Sequence, residues 1–128
     1  MSANKQSILC VDDDPDNLDL ITYIFEEKGF EVTTCKSLKD CLPLIRQNDF
    51  TAVILDNWFV GGTSLEVCQK IRASDPTIPI IFYSAEVREN EIEKALEAGA
   101  NVYLKKPDNF DKITETVNGL IRKSQAEV

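Results

Sequence analysis

Short apolar runs alternate along the chain with segments in which apolar residues recur at helical spacing. The runs that predict strands are Ile8 to Asp12, Glu31 to Cys35, Ala52 to Asp56, Ile80 to Ser84 and Val102 to Lys105. Each is short and rich in β-branched or aromatic residues. The segments between them have the period of amphipathic helices. This alternation predicts repeated βα units and a parallel sheet covered by helices on both faces.

The ends of several helices carry clear signals. Asp14 is a predicted N-cap, Pro15 suits the first turn, and Gly29 is expected to end the first helix. Gly99 is expected to end the fourth helix. The last helix should follow Asn109 and bury four apolar residues at helical spacing, namely Ile113, Val117, Leu120 and Ile121.

Two further helix starts show capping-box spacing. Ser37 with Asp40 predicts the start of the second helix, and Thr63 with Glu66 predicts the start of the third. Pro43 is expected to kink or shorten the second helix, because proline lacks a backbone N–H and clashes with the preceding turn.

Composition indicates a single soluble domain. The chain has 128 residues, of which 43% are hydrophobic and 28% charged, enough for one hydrophobic core. That core is expected over about residues 6–123, with short polar tails at both ends that suit a free-standing protein. The polar segment Ser2 to Gln6 has no signal-peptide character and no apolar run is long enough to cross a bilayer. These features predict a cytoplasmic location.

Charge and cysteine spacing exclude several kinds of partner and cofactor. The net charge of −8 would repel phosphate backbones and anionic lipid, so neither nucleic acid nor membrane is expected as a direct partner. The four cysteines show no C-x-x-C pairing and the chain has no histidine. A zinc site is therefore not expected, and the cysteines are interpreted as buried or half-buried thiols.

Polar residues follow four of the predicted strands. Asp12 and Asp13 end the first strand, Asp56 the third and Ser84 the fourth, while Lys106 lies just past the fifth. Because parallel strands end at the same edge of a sheet, these side chains should share one crevice. Three clustered carboxylates repel one another unless a cation offsets their charge, and oxygen ligands suit Mg²⁺. The sequence therefore predicts a metal site at this edge.

Each of these residues also has an ordinary structural interpretation. The run from Asp12 to Asp14 can form a solvated turn, and for Asp14, which precedes a proline, a capping task is preferred. Asp56 can simply begin a turn after its strand. Lys106 can be a surface lysine at the start of a loop. Only the coincidence of the strand ends favours chemistry over these interpretations.

Four segments resemble those of bacterial response-regulator receiver domains, including the single-domain chemotaxis and sporulation regulators. They are residues 8–15 (ILCVDDDP), 52–56 (AVILD), 82–86 (FYSAE) and 99–107 (GANVYLKKP). Their order and spacing match the family, and the match covers nearly the whole chain. The resemblance implies an α/β fold of the flavodoxin-like type. This is a three-layer α/β/α sandwich whose five-stranded parallel sheet has the order 2-1-3-4-5.

The resemblance also implies a phosphorylation site. By position, Asp56 is the phosphoacceptor, and Asp12 and Asp13 form the acidic pair that holds Mg²⁺ together with Asp56. The backbone carbonyl of Trp58 would be the remaining protein ligand, and Mn²⁺ is an alternative ion. The phosphoryl group would come from a histidine kinase or a histidine phosphotransfer protein. The domain would catalyse only its own phosphorylation and slow autodephosphorylation, and so would not be a turnover enzyme.

Further positions match the switching residues of the family. Ser84 takes the place of the switch Ser/Thr, Tyr103 that of the switch aromatic, and Lys106 that of the invariant lysine, with a cis peptide bond to Pro107. Phosphorylation would draw Ser84 inward and let Tyr103 turn. That change would remodel the face of the fourth helix, fifth strand and fifth helix, where a downstream protein is expected to dock.

The segment after Asp56 departs from the family pattern. Val60 stands where the family usually has proline, although Gly61 is retained and can supply a turn. Trp58 and Glu86 occupy positions that flank the path of attacking water in the family. We expect them to tune dephosphorylation, with the indole shielding the phosphoryl group. The opposing interpretation is that Trp58 points outward as a docking aromatic.

Other functions fit the sequence less well. A receiver-like protein-interaction module that is never phosphorylated is the main alternative, but such modules typically lack part of the residue set found here. An aspartyl-phosphate phosphatase would have a second Asp where this chain has Trp58. Flavin binding would need a Ser/Thr/Gly-rich phosphate loop after the first strand, which is absent.

Overall fold

The structure, a computed structural model, describes residues 6–59 and 62–126. Its strands are β1 Ser7–Val11, β2 Glu31–Cys35, β3 Ala52–Leu55, β4 Trp58–Phe59, β5 Gly62–Thr63, β6 Ile80–Ser84 and β7 Val102–Lys105. Five of them form one parallel sheet in the order β2-β1-β3-β6-β7. When only these five are counted, the order is 2-1-3-4-5, which confirms the predicted topology.

Helices cover both faces of this sheet. They are α1 Pro15–Glu27, α2 Leu38–Gln47, α3 Leu65–Ser74, α4 Glu89–Glu97 and α5 Ile113–Ala126, and a 3₁₀ turn, Phe110–Lys112, precedes α5. One core joins α1 and α5 to alternate residues of the strands, including Ile8 and Ile54. The other joins α2, α3 and α4 to the intervening residues, including Leu9 and Val53. The fold is therefore the predicted three-layer α/β/α sandwich.

The first helix begins and ends as predicted. The Asp14 carboxylate accepts a hydrogen bond of 3.0 Å from the backbone N–H of Asp16, and Pro15 occupies the first turn. Gly29 follows the helix with a φ of +90°, a left-handed conformation that glycine adopts without steric cost. This helix fixes the direction of the chain after the end of β1.

The starts of the second and third helices agree with the prediction to different degrees. The second helix is capped by Ser37 as predicted, and it continues through Pro43 to Gln47, so a kink at the proline stays a prediction. Proline removes one backbone hydrogen bond there without ending the helix, because packing of an amphipathic face stabilises most helices in proteins. The third helix does not use the predicted capping box of Thr63 and Glu66. Thr63 belongs to β5, and Ser64 precedes the helix without a side-chain cap.

The last helix is longer than predicted, and it buries three of the four apolar residues that were expected to be buried. It continues through part of the expected polar tail to Ala126, and Ile113, Val117 and Ile121 are buried whereas Leu120 is half-buried. All four cysteines are buried and free, as interpreted from the sequence. Within residues 6–59 and 62–126, no helix has the length and apolar character needed to span a membrane.

A short antiparallel hairpin after the third parallel strand was not predicted. It pairs β4 with β5, Trp58 opposite Thr63 and Phe59 opposite Gly62. Two-residue strands are too short to show an alternating pattern in a sequence. The expected turn at Val60 and Gly61 lies outside the described residues. The hairpin fixes the backbone position of Trp58, two residues after Asp56, by pairing it with Thr63.

Candidate functional site

The predicted site residues do meet at one edge of the sheet. The backbone N–H of Asp56 donates to the carbonyl of Val11 at 2.9 Å, which aligns the ends of β3 and β1. The N–H of Lys106 donates to the carbonyl of Ser84 at 2.9 Å and so aligns the end of β7 with that of β6. Asp12 follows β1 directly. Parallel pairing thus gathers residues that are far apart in the sequence.

Three carboxylates lie close together in this crevice. One carboxylate oxygen from each of Asp12, Asp13 and Asp56 lies within 4.8 Å of the other two. Asp12 is only 2% exposed and the Asp56 side chain is 11% exposed, whereas Asp13 is exposed to solvent. The cluster is therefore mostly buried and open to solvent on the side of Asp13.

One ammonium group lies against this cluster. Nζ of Lys106 is 2.6 Å from Oδ2 of Asp12 and 3.6 Å from Oδ2 of Asp56. It also lies 5.7 Å from the centre of the Tyr83 ring, within cation–π range. A single positive charge against three carboxylates leaves an excess of negative charge, which a divalent cation would offset.

Burial changes the acidity of Asp56. It raises the pKa of the carboxyl group to about 6, the neighbouring ammonium of Lys106 partly offsets that rise, and the charge of Asp12 adds to it. The backbone N–H of Asn57 donates to Oδ1 of Asp56 at 2.9 Å. Above this pKa the group is an unprotonated carboxylate, the form that can act as a nucleophile.

Ser84 and Tyr103 both contact the loop that follows β6. Oγ of Ser84, which is buried, accepts a hydrogen bond of 3.2 Å from the backbone N–H of Glu86. The Tyr103 hydroxyl donates to the carbonyl of Glu86 at 2.8 Å, and its ring stacks on Phe82 with centroids 5.7 Å apart. We call this the inward orientation of Tyr103. Burial raises the pKa of its hydroxyl.

Trp58 and Glu86 contact each other. The indole Nε1 of Trp58 donates to Oε1 of Glu86 at 3.0 Å, and the Trp58 residue is 43% exposed. The Arg88 guanidinium donates to both oxygens of the same carboxylate. Hydrogen bonds from Arg88, in the first place from its side chain, lower the pKa of Glu86 to about 2. The indole thus joins the hairpin to the loop after β6.

Three residues of the site were missed in the sequence. Nδ2 of Asn17, on α1, donates to Oδ2 of Asp12 at 2.6 Å. The Ser64 hydroxyl donates to the backbone carbonyl of Asp56, and the backbone N–H of Ser64 donates to the carbonyl of Asn57 at 2.9 Å. Asn17 lies in the first turn of α1, which begins three residues after Asp12, and this position at the predicted site marks it as a candidate. Asn57 was detectable only as an amide two residues after an apolar strand.

The chain belongs to the response-regulator receiver domain family. A profile of that family, described as the response regulator receiver domain, matches residues 8–118. The fold and the clustered carboxylates described above agree with this membership.

Three similar proteins illustrate the relationship. The DNA-binding response regulator MtrA of Mycolicibacterium smegmatis is 28% identical over 127 residues, 99% of this chain and 55% of MtrA. The crystal structure of a CheY-like receiver domain protein from Methanospirillum hungatei has a TM-score of 0.92 at 25% identity, with coverage of 98% of this chain and 100% of that one. TrrA of Thermotoga maritima, in complex with Mg²⁺–BeF, has a TM-score of 0.80 at 30% identity, with coverage of 90% and 98%.

The chain spans about half the length of the curated relatives it matches. Its independent action as a free-standing domain stays a prediction.

Proposed function

We propose that this receiver domain accepts a phosphoryl group on Asp56 from a histidine kinase or a histidine phosphotransfer protein. The change in shape that follows is passed to a downstream protein. One observation carries the proposal: carboxylate oxygens of Asp12, Asp13 and Asp56 lie within 4.8 Å of one another, with the Lys106 ammonium against the same cluster. Phosphoryl transfer depends mainly on positioned groups and on charge stabilisation, which such a cluster supplies.

A divalent ion fits this donor set. The three side-chain ligands are carboxylates, and oxygen ligands suit Mg²⁺, with Mn²⁺ as an alternative. The exposed side of the cluster at Asp13 gives the ion a route from solvent. The TrrA structure in complex with Mg²⁺–BeF supports the same assignment. Asp12, Asp13 and Asp56 would hold the ion, and the backbone carbonyl of Trp58 is the proposed fourth protein ligand.

The residues of the chain account for the transfer itself. An oxygen of the Asp56 carboxylate attacks phosphorus, the P–N bond of a phosphohistidine breaks, and the departing imidazole keeps the electron pair and takes up a proton. When bound, Mg²⁺ would offset negative charge on the transferring phosphoryl oxygens. Lys106 lies 3.6 Å from Oδ2 of Asp56 and is proposed to stabilise the same charge.

Ser84 and Tyr103 are the proposed relay residues. Both form hydrogen bonds with the backbone of Glu86. Movement of Ser84 toward a phosphoryl group on Asp56 would therefore displace the loop after β6, to which Tyr103 is also bonded. Phosphoryl oxygens are strong acceptors for a nearby hydroxyl. We propose that the face formed by α4, β7 and α5 then docks a partner protein. The cytoplasmic location and the absence of nucleic acid or membrane as direct partners belong to the same proposal.

The phosphorylation-independent interaction module is the less favoured function. Such a module has no need for a buried carboxylate cluster, whose mutual repulsion disfavours folding. In the proposed function the chemistry modifies the domain itself, and the domain is not a turnover enzyme.

Intact-mass measurement with acetyl phosphate tests the proposal. We expect the protein to gain one phosphoryl group in the presence of Mg²⁺ and none in excess EDTA. Asp56→Asn should abolish the gain. Asp14→Asn is the matched control, because it removes a neighbouring exposed carboxylate while asparagine preserves the helix cap. A gain that persists in Asp56→Asn, or no gain in the wild type at saturating acetyl phosphate and Mg²⁺, contradicts the proposal.

A further inference from the structure

Asn57 is a buried amide whose side chain the proposed chemistry does not use. The residue is 0% exposed and follows the apolar strand β3. Its Oδ1 atom accepts no hydrogen bond from any residue in the part of the chain that the structure describes. The Nδ2 group has one side-chain partner, the hydroxyl of Tyr103 at 3.4 Å.

Stability alone does not explain an amide at this position. A buried acceptor without a partner has lost its hydrogen bonds to water and gained nothing in return. A leucine of similar size would fill the same space without that cost. Residues that break a local packing rule are expected mainly at functional sites. The contact between Asn57 and Tyr103 is therefore a candidate for a functional role.

The hydrogen-bond geometry gives the amide a defined role. The hydroxyl of Tyr103 has one proton, and it donates that proton to the carbonyl of Glu86 at 2.8 Å. Its lone pairs are free to accept, and the amide Nδ2 of Asn57 faces it. The same residue donates its backbone N–H to Oδ1 of Asp56 at 2.9 Å. Asn57 thus contacts both the carboxylate proposed to be phosphorylated and the aromatic residue proposed to switch.

We propose that Asn57 is a positioning residue that holds Tyr103 in its inward orientation and ties that orientation to Asp56. The inference rests on the proposed function, in which Tyr103 reports the state of Asp56. It adds a direct path through the end of β3, separate from the path through Ser84 and the loop after β6. The hydrogen bond from Asn57 then favours the inward orientation of Tyr103 already in the unphosphorylated domain.

The orientation of Tyr103 is measured first without Mg²⁺ or any phosphoryl donor. Protein with ¹³C-labelled tyrosine gives three sets of ring signals, and Tyr103→Phe assigns the Tyr103 set by its loss. In the wild type these signals should be displaced by the stacked ring of Phe82. In Asn57→Leu they should move toward those of Tyr23, which is 63% exposed. Unchanged Tyr103 signals in a folded Asn57→Leu protein overturn the inference.

Two controls separate positioning from a general effect on folding. Asn118→Leu makes the same substitution on α5, which packs on the opposite face of the sheet from the core that Tyr103 joins, and should leave the Tyr103 signals in place. In Tyr103→Phe, the side-chain amide signal of Asn57 should shift and its protons should exchange faster. This second measurement decides the question if Asn57→Leu does not fold, since an unaffected amide signal overturns the inference.

Beryllofluoride with Mg²⁺ then tests the link to Asp56. We expect the apparent affinity of Asn57→Leu to be weaker than that of the wild type by roughly two- to tenfold, because one hydrogen bond of the favoured orientation is lost. Equal affinities overturn the link between Asn57 and Asp56. Failure of the wild type to bind beryllofluoride at all contradicts the proposed function instead. The ligand-free NMR result still decides whether Asn57 holds Tyr103.

Discussion

Removing the Asp56 charge should stabilise the metal-free domain. Burial raises the pKa of Asp56 from 3.8 to about 6 in the folded protein, and each unit corresponds to about 1.4 kcal/mol. The folded state therefore disfavours the carboxylate by up to about 3 kcal/mol, and screening by the water that reaches this partly exposed group reduces the effect. We expect Asp56→Asn to raise the free energy of unfolding by about 1–2 kcal/mol at pH 8 in EDTA.

The sign of this effect fixes its pH dependence. The folded pKa lies above the unfolded one, so between them the folded state holds a proton that the unfolded state has released. The Asp56 carboxyl group therefore contributes most to the free energy of unfolding of the wild type below about pH 4. This contribution is lost as pH rises through about 6. The stability gain of Asp56→Asn over the wild type should therefore grow between about pH 4 and pH 6 and reach its full size above about pH 6. Urea unfolding followed by circular dichroism, at about pH 4 and pH 8, measures the difference.

Mg²⁺ should reverse the order of stability at pH 8. An ion at a hundred times its dissociation constant stabilises the wild type by about 2.7 kcal/mol, and Asp56→Asn should gain much less because one ligand is lost. Asp14→Asn, which lies outside the cluster and keeps its capping role, should behave like the wild type in both buffers. If Asp56→Asn is less stable than the wild type in EDTA at pH 8, burial does not disfavour the Asp56 carboxylate in the folded state.

Three further predictions concern the chemistry. Lys106→Met should slow phosphorylation by acetyl phosphate about a hundredfold. It should retain or strengthen Mg²⁺ binding, because the ammonium that lies 2.6 Å from the Asp12 carboxylate is removed. Weaker Mg²⁺ binding by calorimetry would contradict this. Trp58→Asn should speed loss of the phosphoryl group by about tenfold. Trp58→Phe, which keeps an aromatic ring but loses the hydrogen bond to Glu86, should have a smaller effect. An unchanged decay rate for Trp58→Asn refutes shielding by the indole. At limiting Mg²⁺ the initial phosphorylation rate should rise about tenfold per pH unit below about pH 6 and level off above it, because Asp56 loses its proton in this range. A rate that does not change with pH would argue against Asp56 as the nucleophile.

The parallel sheet was predictable because its signals are local and repeated. Each strand is a continuous apolar run, and burial on both faces requires such a run in a parallel sheet. The cap at Asp14 and the left-handed Gly29 are also local features. The meeting of Asp12, Asp56 and Lys106 followed from topology, because the strand order decides which strand ends are neighbours.

What could not be predicted depends on contacts between distant residues. Thr63 and Glu66 have capping-box spacing, yet Thr63 pairs in the hairpin. Ser64 instead donates its hydroxyl to the backbone of Asp56. Nothing near Asn57 in the sequence indicates that its amide meets Tyr103, 46 residues away. Propensity and spacing describe neighbours along the chain, and tertiary contacts override them.

Locating the phosphoryl group in the sequence tests directly whether Asp56 is the phosphoacceptor. Protein treated with acetyl phosphate and Mg²⁺ is reduced with borohydride, which converts an aspartyl phosphate to homoserine, and is then digested and sequenced by mass spectrometry. Homoserine is expected at position 56 alone, and none is expected when EDTA replaces Mg²⁺. Conversion at Asp12 or Asp13, or conversion at Asp56 that does not need a divalent ion, would contradict this expectation.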